Sequence, residues 1–366
     1  MPTPVFPPQP SLPLRYEILP YAPMQGGFGR VWRIKDNSLG REVLFKEIQH
    51  KSDNAILLNE IQNLSAARSR HVVEIYDIIT DDSGDVAGVI IEYLPGRSYS
   101  DFHIQALSKP VDFIKILYQL SIALNDLHSR GIVHRDIKLD NMKESSSGMM
   151  KIFDFGISTP ASNHYTTNNR GTLIYAAPEL HNTGALVTKQ VDIYAFGICA
   201  WALSSATCPA ELATDPPQST SRAPSIDTVF NGILSKDIVA ILDRCLDPDP
   251  SARPNAFDLV TVISKDLNRG KHKGLFVNGS QSIYYELSNS QNFLKVGIGT
   301  LGTIEVKYNG VNFIVQSATG DVYVNNVPVI PGFILPSSCV ITYGNPALGS
   351  GRKHVPFFSS HPQVIL

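Results

Sequence analysis

Ile132 to Asn141 reads Ile-Val-His-Arg-Asp-Ile-Lys-Leu-Asp-Asn, and no other stretch constrains the chain as tightly. A carboxylate, Asp136, is followed two residues on by an ammonium, Lys138, and three residues later by an amide, Asn141. Phosphoryl transfer asks little more of side chains. It needs a group to orient a hydroxyl nucleophile, positive charge beside the transferring phosphoryl, and a metal ligand. A solvated charged turn after a helix would use the same residue types, so the neighbouring motifs decide between the two.

The chain has 366 residues, enough for two domains. It is 43% hydrophobic and 17% charged, the balance of a soluble globular protein with few charges. A formal net charge of −2 argues against a nucleic-acid partner. No apolar run approaches the roughly 20 residues of a membrane span, so no membrane partner is expected. The longest candidate, Ile193 to Leu203, is too short. No basic-then-apolar leader opens the sequence. Cys199, Cys208, Cys245 and Cys339 lack metal-ligand spacing and are expected to be reduced thiols in a cytoplasmic protein.

Residues 1–13 hold Pro2, Pro4, Pro7, Pro8, Pro10 and Pro13, which predicts a flexible tail of extended character. A glycine-rich turn follows, with Gly26, Gly27, Phe28 and Gly29 before Val31. Glycines let backbone N–H groups approach an anion with no Cβ in the way. Val43, Leu44 and Phe45 form a short apolar strand that ends in Lys46; alternation along a strand points Lys46 the same way as Leu44. Leu57, Ile61 and Leu64 recur at helical spacing, and Glu60 beside them is the natural partner of Lys46. Val86 to Leu94 reads as another strand. Phe113, Leu117, Leu120, Leu124 and Leu127 define one face of an amphipathic helix, stopped by Gly131.

Taken in order, these elements resemble the catalytic domain of serine/threonine protein kinases over residues 14–270. The Asp136–Asn141 stretch matches the family's H-R-D-x-K-x-x-N loop, Val43–Lys46 its V-A-I-K strand, and Asp154-Phe-Gly its D-F-G element. The resemblance implies an α+β, bilobal protein-kinase fold that uses ATP and Mg2+ to phosphorylate Ser or Thr of protein substrates. It implies Asp136 as base or hydroxyl orienter, Lys138 on the γ-phosphate, and Lys46 on the α- and β-phosphates. Asn141 and Asp154 would ligate magnesium. Gly26, Gly27, Phe28, Gly29 and Val31 would cover the nucleotide, Glu60 would pair with Lys46, and backbone from Glu92 to Leu94 would take the base. Ile91 would sit at the gatekeeper position. Asp192 would brace the catalytic loop, Arg253 would pair with Glu179, and Thr172 would bond to Asp136 or Lys138. Ser158 to Arg170 occupies the place of an activation loop; Arg135 and the threonines Thr166 and Thr167 suggest control by phosphorylation, and autophosphorylation is expected. One departure stands out: Met24 replaces the first glycine of the family's G-x-G-x-x-G-x-V loop. Two alternatives share the pattern. A small-molecule phosphotransferase is opposed by Gly171–Glu179, Asp192 and Arg253, which shape a peptide-binding lobe. A pseudokinase scaffold is opposed by the full set Lys46, Glu60, Asp136, Asn141 and Asp154, and favoured only by Met24.

Residues 275–366 change character. Short apolar runs at 283–287, 293–298, 304–308, 313–315, 322–324 and 334–343 are punctuated by Asn, Gly, Ser and Pro, the pattern of a smaller all-β sandwich domain. Asp321 to Val329, Phe333 to Leu335 and Val340 to Gly344 resemble the later strands of forkhead-associated domains, which bind phosphothreonine. Only Asn325 and Asn326 carry over from that family's binding loops. Its glycine-arginine is absent, since Thr300 follows Gly299, and so is its S-x-x-H turn. Only Lys295, Lys307, Arg352 and Lys353 could supply charge to a phosphate. A degenerate site is expected, with the kinase lobe or another protein favoured as its partner over a phosphoprotein, which stays open as the alternative.

Overall fold

Alternation of apolar residues builds the first sheet. In the computed structural model, which describes residues 8–25, 29–48, 58, 61–62, 65, 69–154, 159–160, 173–182, 184–278, 281–285 and 293–366, the chain divides into two compact units, Met1–Ile263 and Ser264–Leu366. The first unit opens with β1 (Tyr16–Ile18), β2 (Met24–Gln25), β3 (Arg30–Asp36), β4 (Arg41–Glu47), β5 (Ile75–Thr80) and β6 (Val86–Glu92). They form one antiparallel sheet in the order β1-β3-β4-β6-β5, with β2 also on β3. Trp32, Ile34, Val43, Phe45, Ile79 and Ile90 point to one face and make an apolar core with Tyr16. Because strand side chains alternate, Val31 and Arg33 of β3, Leu44 and Lys46 of β4 and Ile91 of β6 share the other face; Val31 stands opposite Lys46, and Leu44 opposite both Arg33 and Ile91. Gly88 is required where β6 passes β4: a Cβ there would lie 2.4 Å from the Phe45 ring and from the Lys46 carbonyl.

The rest of this unit is mainly helical. Helix α1 (Pro110–Ser129) starts with proline at its first turn, where no N–H is needed. It ends before Gly131, whose φ of 75° reverses the chain. Short strands β7 (Ile132–Val133), β8 (Met142–Glu144), β9 (Met150–Ile152) and β10 (Thr159–Pro160) follow; β8 pairs with β9 and β7 with β10. Helix α2 (Gln190–Ser204) is apolar around nearly its whole circumference and is buried along its length, as such a helix must be. Helices α3 (Asp227–Phe230) and α4 (Lys236–Cys245) follow, and the unit ends within α5 (Ala256–Leu267). Ser235 caps α4 by accepting the Ile238 N–H at 3.4 Å, a device worth about 1 kcal/mol. No helix among the described residues is long and apolar enough to cross a membrane.

The second unit contains β11 (Gly274–Asn278), β12 (Gln281–Tyr285), β13 (Phe293–Ile298), β14 (Gly302–Tyr308), β15 (Phe313–Gly320), β16 (Val322–Val324), β17 (Val327–Pro328), β18 (Ser338–Tyr343) and β19 (Lys353–Ser359). One sheet runs β12-β11-β19-β18-β16-β17 and a second runs β13-β14-β15. Both contribute to one core: Phe276, Ile341, Tyr343 and Phe357 from the first, Ile304, Val306, Phe313 and Val315 from the second. Three strands depart from the sequence reading, the two-residue β17 among them. β11 begins the sheet ahead of the first expected run, and β19 lies inside it where no run was expected. Ile334 and Leu335 stand outside any strand; Ile334 bridges to Ile314, and the Leu335 N–H donates to the Phe313 carbonyl at 2.9 Å while its side chain is buried in the core.

Candidate active site

The Asp136 loop is fixed by a carboxylate that comes from far along the chain. Asp192, fully buried near the start of α2, accepts the backbone N–H groups of His134 and Arg135, each at 2.8 Å, and bonds to His128 Nε2 at 2.9 Å. Burial pushes this carboxyl up, but donation from His128 and the charges around it prevail and hold it below the usual carboxylate range. Within the loop, Asp136 Oδ2 accepts from Lys138 Nζ at 2.7 Å and from Asn141 Nδ2 at 2.8 Å. Asn141 Nδ2 also reaches the Asp136 carbonyl at 2.9 Å. Asn141 thus spends its amide nitrogen inside the loop, which leaves the oxygen as its outward-acting atom.

The Phe153 N–H donates to the Asn141 carbonyl at 3.0 Å and so ties the Asp154 segment to this loop. Asp154 Oδ1 lies 3.3 Å from Lys46 Nζ. Arg135 and Asp154 both adopt left-handed backbone, with φ of 70° and 67°. Non-glycine residues in that region each cost on the order of 1–3 kcal/mol and collect where geometry serves function.

A cavity of about 550 Å³ opens beside Lys46 and Asp154. Of the expected nucleotide contacts it is lined by Val31, Lys46, Glu92 and Leu94, together with Ile91. Gly29 is buried and is not part of this lining; Gly26, Gly27, Phe28 and Glu60 lie outside the described residues, as do Thr166, Thr167 and Thr172. Glu92 commits its N–H to Glu74 at 2.9 Å and its carboxylate to the buried Lys151 ammonium at 2.6 Å. Asp136, Lys138 and Asn141 are not part of the lining. Sequence reasoning missed Arg33, Leu44, Lys143 and Phe153 as lining residues, whereas Tyr93 falls within the expected Glu92–Leu94 span. The signal was present: Arg33 lies two residues after Val31, Leu44 two before Lys46, Lys143 two after Asn141, and Phe153 immediately before Asp154.

Arg253 is buried and holds Glu179 through paired 2.7 Å bonds, while also donating to the carbonyls of Asp247 at 2.7 Å and Gln190 at 2.9 Å. Among the described residues no group of three or more His, Cys, Asp or Glu is gathered to hold a metal. The donor set of one carboxylate, Asp154, and one amide oxygen, Asn141, suits a hard cation whose remaining ligands are phosphate oxygens and water.

In the second unit, Asn325 and Asn326 form the turn between β16 and β17, with φ of 47° and 69°. Asn325 Oδ1 accepts the Val340 N–H at 3.0 Å, and its own N–H donates to the Val340 carbonyl at 3.0 Å. Its amide oxygen is therefore engaged within the fold. Arg352 lies over the Tyr323 ring and donates to the Gly344 carbonyl at 3.1 Å. Lys295, Lys307 and Lys353 are exposed.

A family model described as the protein kinase domain matches residues 25–262. The chain belongs to the protein kinase family. It is 32% identical over 261 residues to a probable serine/threonine-protein kinase of Clostridium acetobutylicum, spanning 66% of this chain and 38% of that protein. It is likewise 32% identical over 204 residues to the serine/threonine-protein kinase PrkC of Bacillus subtilis, spanning 53% of this chain and 31% of the relative. Against mitogen-activated protein kinase kinase kinase 7 of Homo sapiens the identity is 25% over 283 residues, 70% of this chain and 44% of that one. The matched stretch thus spans less than half the length of each of these relatives.

Proposed function

We propose that the protein is a serine/threonine protein kinase that transfers the γ-phosphoryl of ATP, with Mg2+, to hydroxyls of protein substrates. One observation carries this: the Asp136 carboxylate, held by Lys138 and Asn141, sits in a loop whose backbone is fastened to Asp192. Asp136 orients the substrate hydroxyl and accepts its proton as the oxygen–phosphorus bond forms and the bond to the ADP leaving group breaks. Lys138 balances charge on the transferring phosphoryl. Lys46 steadies the inner phosphates, and Asp154 with the Asn141 oxygen would hold the metal, which when bound offsets phosphate charge. Val31 covers the base, and backbone at Glu92 and Leu94 takes its edge; Gly26, Gly27, Phe28 and Gly29 complete the cover, and Glu60 orients Lys46. The four cysteines are all free thiols, which supports a reducing compartment such as the cytoplasm. Incubation with γ-labelled ATP and a mixed protein acceptor tests the reaction. Phosphoserine and phosphothreonine are expected on acid hydrolysis; label confined to phosphotyrosine or to a small molecule would overturn the proposal.

The two sheets around one core in residues 275–366 support a β-sandwich, related to forkhead-associated domains, that serves protein interaction or regulation. The commitment of Asn325 to Val340 favours a site that no longer reads phosphothreonine.

A further inference from the structure

Among the described residues, three cations line the cavity read above as the nucleotide site: Lys46, Arg33 and Lys143. Two of them have carboxylate partners. Lys46 meets Asp154 at 3.3 Å. Arg33 donates to Glu42 through Nε at 2.7 Å and stands over the rings of Tyr21 and Tyr93, 4.5 and 4.3 Å from their centroids. Lys143 forms no ion pair among the described residues; its ammonium lies 6.0 Å from the Tyr93 centroid. Its backbone is firmly placed. Lys143 pairs with Lys151 in the β8–β9 ladder and bridges to Ser98. The adjoining Glu144 accepts the Gly96 N–H at 3.0 Å and donates to the Arg97 carbonyl at 3.1 Å. Lys143 is half-buried in a cavity that Val31, Leu44, Ile91 and Phe153 also line, and whose carboxylates, Glu92 and Asp154, are paired with Lys151 and Lys46. An ammonium that gives up water without a counter-charge is costly, and that cost is recovered when a ligand supplies an acceptor.

We propose that Lys143 is a specificity-determining residue of the nucleotide site. Its methylene stem supplies apolar floor across the cavity from Val31 and Leu44, since long cationic side chains bury their stems and keep their heads polar. Its ammonium donates to acceptor atoms of the bound nucleoside, so the site favours ligands with an oxygen, a ring nitrogen or a negative group at that place. The proposal rests on the cavity being the ATP site.

Equilibrium binding of ATP to the full chain, without protein substrate, tests it in the wild type and in Lys143→Arg, Lys143→Met and Lys143→Glu. A hydrogen bond from a charged donor sets the expected scale at about a tenfold loss of affinity in Lys143→Met. Lys143→Glu should lose more and Lys143→Arg should retain most of the affinity. In turnover assays KM for ATP should rise in parallel while kcat changes little, the signature of lost uniform binding. Lys143→Gln, closer in polarity, guards against a folding defect in Lys143→Met. Should Lys143→Met bind ATP as tightly as the wild type in an enzyme that still labels protein, the stem alone matters and the proposal falls. A wild-type chain that binds no ATP would instead overturn the nucleotide-site reading, and this proposal with it.

Discussion

Lys46 Nζ and Asp154 Oδ1 meet at 3.3 Å although 108 residues separate them in sequence. One comes from a strand of the N-terminal sheet and the other follows β9, so the pair forms only when both elements are in place. As each should act directly on the phosphates or their metal, Lys46→Ala or Asp154→Ala should lower protein labelling from ATP by at least about 100-fold. Their unfolding midpoints should remain near that of the wild type. Equal labelling by wild type and Asp154→Ala would refute the assignment.

Asp192 predicts a different signature because it touches only the loop backbone and His128. In Asp192→Ala the buried N–H groups of His134 and Arg135 lose their acceptor. Each orphaned donor costs about 1–3 kcal/mol, so a marked fall in unfolding free energy is expected. Asp192→Asn keeps one acceptor oxygen and should be milder in stability, yet it should lower kcat more than it raises KM for ATP. Denaturant titration together with steady-state kinetics reads both; a kcat equal to wild type in Asp192→Asn would show that the bracing is not needed for turnover.

Much of this site was legible because its residues sit close together in sequence. Asp136, Lys138 and Asn141 lie within six positions, and their chemistry can be read from spacing alone. The cavity lining was harder. Arg33 and Lys143 reach the cavity through strand pairing, and Phe153 through its N–H bond to the Asn141 carbonyl, neither of which one sequence displays. The second unit shows the same limit. β19 carries Pro356, and proline inside a strand usually argues against a central position. Pro356 is tolerated because β11 pairs with β19 only from Phe357 to Ser359, whereas β18 pairs along its whole length. β11 was missed because Gly270 to Gly274 read only as the end of a helix, and β17 because it is just two residues long.

Arg253 and Glu179 should behave as a buried ion pair. Removing one member of such a pair costs about 3–5 kcal/mol, because the other charge is left without its partner. Arg253→Met should therefore destabilise the first unit strongly. Arg253→Lys should also be costly, since one ammonium cannot reproduce the paired bonds to Glu179 together with those to Asp247 and Gln190. Calorimetric unfolding decides it; an unchanged midpoint in Arg253→Lys would show that charge alone suffices.

Stability should fall as pH drops below neutrality. Burial holds the His71 imidazole below its ordinary value, and the same cause holds His134 down. His71 bonds to the Met150 carbonyl through Nδ1 at 2.9 Å, as a neutral ring can. In the unfolded chain both histidines titrate near about pH 6.5. Above that value their contribution is fully present. Below it the unfolded chain takes up protons that the folded chain refuses, and stability is lost. Asp192, held below the usual carboxylate range, adds a loss of the same sign at more acid pH. The unfolding midpoint should decline between pH 7 and pH 5, and less steeply in His71→Gln. A flat profile across that interval would contradict this account.

The turn at Asn325 and Asn326 supplies the last prediction. Both residues hold left-handed backbone, which asparagine tolerates better than most residues and glycine best of all. Asn326→Gly should thus be neutral or slightly stabilising. Asn325→Ala should cost about 1–2 kcal/mol, because it removes the acceptor for the Val340 N–H as well as a residue suited to the turn. If Asn325 also read a phosphothreonine, its replacement would abolish binding of a phosphothreonine peptide. The side chain is already engaged with Val340, and Arg352 is engaged with Gly344 and Tyr323, so the full chain is expected to show no phosphate-dependent binding tighter than about millimolar for lack of charge-assisted donors. Calorimetric titration of the full chain with phosphorylated and unphosphorylated peptides spanning Thr166 and Thr167 measures this. Micromolar binding that needs the phosphate and disappears in Asn325→Ala would show an intact phosphothreonine site and overturn the prediction.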